Sequence, residues 1–182
     1  TAVSCGSGTS KQGQSAPAAH ATANSTVLEV DSLLKNAETL VGQPVVVEGV
    51  CTHICQHGGG KIFLMGSDDT QTIRIDAGEK VGKFTPETVN SLVRINGTLN
   101  EERIDEAFLS QWEEQAKAQA ATQHGTAGSS CESDQKARGE TPVNSVEERI
   151  SNFRKRIAER QAKEGKNYLS FYSVTADSYE IL

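Results

Sequence analysis

Aromatic side chains are scarce in this 182-residue chain: one tryptophan, three tyrosines and five phenylalanines make up 5% of it. Surfaces that stack nucleic-acid bases depend on such rings, so their scarcity counts against that role. Positive charge is also in deficit, with 18 Lys and Arg against 24 Asp and Glu and a formal net charge of -6. The chain as a whole lacks the field that nonspecific phosphate binding needs. No apolar run approaches the roughly 18 to 20 residues that a membrane-crossing helix requires. Motifs of covalent or metal-assisted catalysis are missing too: there is no Gly-x-Ser-x-Gly, no phosphate loop and no His-Glu-x-x-His. Catalysis is therefore the least favoured activity. Hydrophobic residues reach only 36% and mean hydropathy is -0.46, so part of the length is solvated segment around one ordinary domain.

Cysteine is sparse, at positions 5, 51, 55 and 131. A disulfide needs Cα atoms within about 7 Å, whereas residues four apart on an extended strand lie roughly 13 Å apart. Cys51 and Cys55 cannot pair on a regular strand, and Cys5 and Cys131 stand in polar, low-complexity surroundings. This is not a disulfide scaffold.

What the chain does have is a strand rich in reactive side chains. From Val45 to Lys61, Cys51, His53, Cys55 and His57 recur at every second position. On a regular strand they share one face. Imidazole and thiolate together suit zinc or copper, which makes His53, Cys55 and His57, with Cys51 as a further ligand, a candidate metal site. That reading requires Val50 and Ile54 to fill the core, and Gly49 to supply a bulge or bend. The competing reading has the cysteines as small core residues and the histidines as surface groups.

In chain order, Gly6 to Thr26 is almost entirely small and polar and reads as a flexible tether. Structure begins near Val27 with a short amphipathic helix carrying Leu33, Leu34, Ala37, Leu40 and Val41, with Asp31 as N-cap and Gly42 as its left-handed terminator. The strand after Pro44 forms a hairpin with Lys61 to Met65 through the glycine turn at 58–60, and Thr72 to Asp76 alternates as a third strand. Thr85-Pro86-Glu87 has the form of a helix start. A fourth strand runs from Val93 to Leu99, and from Ile104 the period becomes helical to about Ala121, with Trp112 as its anchor on the barrel. Thr122 to Thr141 reads as a mobile polar excursion. Ser145 and Glu148 match a capping box ahead of a helix ending near Gly165. Its outward face carries Arg149, Arg154, Lys155, Arg156, Arg160 and Lys163 among glutamates, a mixed charge expected of a solvated surface. Tyr168 to Leu182 is strand-like.

Four strands, a helical excursion at about 105–165 and a late fifth strand predict a mainly β protein with helices: a five-stranded OB-fold barrel over 27–182. The segments Gly49 to Gly59, Phe63 to Gly66, Ile73-Arg-Ile, Gly97-Thr-Leu, Arg103 to Glu106 and Tyr179-Glu resemble uncharacterised OB-fold lipoproteins of the Bacteroidetes type. Thr-Ala-Val-Ser-Cys at the start likewise resembles the end of a bacterial lipoprotein signal, with Cys5 as the lipidated residue. The resemblance implies a Gram-negative cell envelope location, periplasmic or outer-membrane, with membrane attachment through lipid alone. It carries no activity. Three roles follow as expectations: a binding protein, with the metal as one ligand; a subunit docking an envelope protein partner; and, least supported by the charge, an oligonucleotide-binding domain.

Overall fold

Alternating buried and open positions along five strands give a closed barrel. The computed structural model describes residues 26–55, 58–122 and 132–182. Its strands are β1 (Val27–Glu29), β2 (Pro44–Ile54), β3 (Lys61–Met65), β4 (Thr72–Ala77), β5 (Leu92–Ile104) and β6 (Leu169–Ile181). The sheet order is β1-β2-β3-β4-β6-β5, and β5 returns to pair with β2, which closes β2 to β6 into a barrel. The β4–β6 pair is parallel and the other barrel pairs are antiparallel. This is the OB-fold strand order, as expected from the sequence. β1, which the sequence pattern did not announce, adds in parallel to β2 outside the barrel.

The inward positions are those the alternation marks: Val45, Val47, Ile62, Leu64, Ile73, Ile75, Val93, Ile95, Leu99 and Val174 are all buried in one cluster. Val30, Leu33 and Ala37 of helices α1 (Val30–Lys35) and α2 (Ala37–Leu40) join it at the end where β3 finishes. Asp31 lies inside the first turn of α1 and not at its cap, which is Glu29. Its carboxylate instead accepts from the Ser67 N–H at 2.9 Å and from the Ser67 hydroxyl, tying α1 to the turn after β3. Gly42 does take the left-handed conformation, at φ 77°. Between β4 and β5 the chain makes only a single 3₁₀ turn, Pro86–Thr88.

β5 and β6 are each 13 residues long and pair with each other from Val93↔Ile181 to Ile104↔Leu169, past the reach of β2 and β4. A register shift at Asn96/Gly97 bends this ribbon. Gly97 is required there, because a Cβ would stand 2.2 Å from the Thr175 carbonyl oxygen.

The protruding end of the ribbon carries the excursion: α3 (Glu106–Thr122), α4 (Glu132–Ala137) and α5 (Val146–Glu164). Ile104, Leu109, Ile150, Phe153, Ile157 and Leu169 form a second buried cluster, separate from the barrel core. Trp112 packs against this cluster, its ring 6.2 Å from that of Phe153, so it anchors α3 to α5 and not to the barrel. Ser145 caps α5 by accepting from the Glu148 N–H, and Gly165 ends it at φ 71°. The helix α4 lies inside the stretch read from sequence as a mobile excursion.

Candidate functional site

The reactive strand does not present its side chains on one face. Pairing with β3 runs Val50↔Met65 and Cys51↔Leu64, then His53↔Phe63 and Ile54↔Ile62, leaving Thr52 as an extra residue. A one-residue slip exchanges the faces of everything beyond it. The bulge falls here and not at Gly49, where the close approach of Val30 leaves no room for a side chain. Cys51, which precedes the slip, keeps the inward face of Val45 and Val47 and is fully buried in the barrel core, its thiol donating to the His53 carbonyl at 3.5 Å, while His53 beyond the slip leaves that face. Burial pushes the Cys51 thiol pKa up, against smaller lowering by its hydrogen bonds. Val50, expected inside, is 40% exposed, while Ile54 does pack on the core.

His53 is half-buried, with its ring 6.0 Å from Phe63, and Cys55 is a half-buried free thiol. Cys51 is thus removed from any ligand set containing His53. Among the described residues no three His, Cys, Asp or Glu side chains converge to hold a metal ion. His57 and Cys5, the other residues singled out in the sequence, lie outside the described residues.

In OB-folds the outer face of the second and third strands, here β3 and β4, is the usual ligand surface. In this chain α4 packs on β4. Arg74 of β4 reaches Asp134 of α4 at 3.5 Å and Asp76 of its own strand at 3.2 Å. Arg138, just past α4, bonds Glu102 of β5 at 2.9 Å and stacks on Phe171 of β6. The buried Gln135 fixes the following chain, its amide donating to the Val143 carbonyl at 3.1 Å and accepting from the Val143 N–H at 3.0 Å. Sequence reading misses this device because α4, Glu-Ser-Asp-Gln-Lys-Ala, has almost no apolar residue to mark a face.

Three of the four arginines of α5, Arg149, Arg154 and Arg160, pair with the chain's own carboxylates. Arg149, expected outward, is buried and makes a two-pronged pair with Glu140, 2.8 Å at both nitrogens, with its guanidinium over the Trp112 ring. Arg154 is shared by Glu106 and Glu113, whose carboxyl pKa values its hydrogen bonds depress.

Two clefts flank the Arg138–Glu102 bridge. One, of about 390 Å³, is lined by Ile104, Phe108, Trp112 and Phe153 with Glu102 and Arg138 at its polar side. The other lies along β6 and is bordered by Arg74, Asp134, Phe171 and Tyr172.

No protein-family model matches the chain, and no curated protein does. Among solved structures it is similar to a protein from Leishmania major Friedlin assigned as an aspartyl-tRNA synthetase, at 18% identity and a TM-score of 0.32. The match covers 48% of this chain and 18% of that one, so the chain spans less than a fifth of that protein. At that score the likeness carries no argument about ligand or activity.

Proposed function

We propose that this protein is a non-catalytic binding module whose ligand enters the cleft beside Trp112, between the β5–β6 ribbon and the helical excursion. The observation that supports it is the division of surfaces: α4 occupies the outer side of β4, while the Trp112 cleft combines an apolar wall with a few polar groups. Its volume of about 390 Å³ is in the range of small-molecule sites. The ligand class is a flat apolar or aromatic group bearing a polar substituent that reaches Arg138 or Glu102.

Trp112 is the chain's single tryptophan, so tryptophan emission, excited at the red edge where tyrosine does not absorb, reports on this cleft. Titration with a set of mono- and bicyclic aromatic fragments is expected to give at least one saturable quench. Phe108, 39% exposed, can be cut to alanine without opening a core, and Phe108→Ala should weaken that binding about tenfold. Absence of any saturable quench, or equal affinity in the variant, would sink the reading.

Envelope attachment through Cys5 is the second element of the proposal, supported by the small and polar composition of residues 6 to 26. The full precursor expressed in a Gram-negative host should sediment with membranes, and Cys5→Ala should stay in the supernatant. Identical partitioning of the two would remove it.

A further inference from the structure

The excess of acid over base hides one local reversal. Seven of the chain's eight arginines lie within ion-pair distance of a carboxylate of the same chain; among the described residues Arg156 does not. It sits on α5 facing a cleft of about 330 Å³, lined by Leu34, Lys35, Arg160, Leu169, Phe171 and Tyr172 among others. The guanidinium lies over Phe171 at 5.5 Å and Phe153 at 5.9 Å, and one nitrogen donates to the Arg138 carbonyl at 2.9 Å. A guanidinium stacked on rings keeps its N–H donors in its own plane, where they match the oxygens of a carboxylate or phosphate.

The neighbouring charges sharpen this. Glu164 and Glu38 also border the cleft, but Glu164 is taken by Arg160 at 3.0 Å and Glu38 by Lys166 at 3.2 Å. Lys35, exposed at the end of α1, has no carboxylate within ion-pair distance among the described residues. Two cations therefore border one cleft with no carboxylate in ion-pair contact among the described residues, Glu140 and Glu159 acting on Arg156 only at longer range. Leu34, Leu169 and Phe171 supply apolar surface beside them.

We propose that this cleft, between α1, α5 and β6, is an anion-binding site in which Arg156 and Lys35 hold the carboxylate or phosphate group of a small organic ligand. It is separate from the Trp112 cleft and stands independently of the function proposed there. Carboxylate and phosphate share the recognition chemistry, and the test separates them.

The full chain, ¹⁵N-labelled, is titrated with sodium phosphate and separately with sodium acetate at ionic strength fixed with sodium chloride, following the Arg156 Nε–H and the Phe171 and Tyr172 amides. A saturable shift at these groups with either anion is expected, and which anion gives it names the ligand class. Arg156→Lys, which keeps the charge and loses the fork, should weaken binding about tenfold, and Lys35→Gln about threefold. Because Lys35 is exposed, Lys35→Gln tests the site even if Arg156→Lys fails to fold. No saturable shift with either anion, or the same affinity in wild type and Lys35→Gln, would overturn the proposal; Arg156 would then serve only to bind the carbonyl after α4.

Discussion

Thr52 decides the fate of the reactive strand. Every-second-residue spacing puts Cys51 and His53 on one face only while the pairing is regular, and a single unpaired residue between them turns His53 off the inward face that Cys51 shares with Val45 and Val47. The alternation itself was legible, though not which face it buries: Ile54 packs inward as expected, whereas Val50 is exposed and Val45, Val47 and Cys51 share the inward face. The bulge was not, because nothing in Cys-Thr-His distinguishes a regular strand from one that gains a residue; the cause is the register of β3, fixed elsewhere. A chemical consequence follows. Only the thiolate is alkylated, and Cys51 is both buried and raised in pKa, whereas Cys55 is partly open. A short iodoacetamide pulse on native protein at mildly alkaline pH, read by peptide mass spectrometry, should modify Cys55 more than about tenfold faster than Cys51. Raising the pH should narrow the gap only as Cys51 begins to ionise. Comparable rates at neutral pH would contradict the inward position.

At the level of elements, α3 and α5 were legible from helical periodicity and from Ser145 and Gly165 at the ends of α5, while the way the excursion is fastened was not. A row of arginines and glutamates reads from sequence as a solvated face. Folding instead turns Arg149 into the interior, between Trp112 and the carboxylate of Glu140; the Arg149 and Glu140 side chains are 5% and 6% exposed. Such partners are brought together by the path of residues 138–145, which carries no periodic signal. A buried pair costs much of its attraction in desolvation, so its net contribution is small, but breaking it leaves one charge unmatched. Glu140→Gln should therefore destabilise the protein by about 3 to 5 kcal/mol in urea unfolding. The double variant Arg149→Met with Glu140→Gln should recover most of that loss, since no buried charge is left. A single variant within about 0.5 kcal/mol of wild type would show that the pair is not buried in solution.

Across the whole molecule, the β6 strand is separated from β5 by more than sixty residues of excursion, yet it is the piece that makes the barrel a barrel. It pairs in parallel with β4 at Arg74↔Ser173 to Ala77↔Ala176, and in antiparallel along the full length of β5. The sequence discloses the strand through its alternation after Tyr168, and the strand order follows from the rule that a late strand in this fold inserts between the third and fourth. Taking it away removes Val174 and Ala176 from the barrel core and Leu169 and Phe171 from the second cluster. It also leaves β4 and β5 as open edges, whose unpaired N–H and C=O groups invite association. A chain ending at Gly165 should then lose its cooperative thermal transition and bind a hydrophobic dye, because both clusters are opened at once. Adding a peptide of residues 166–182 in trans should restore part of the transition, since the missing pairing partners are all contained in it. A truncated chain that melts at the wild-type temperature would mean that β2 to β5 form a stable unit alone, and that the last strand is an addition to the barrel instead of its closure.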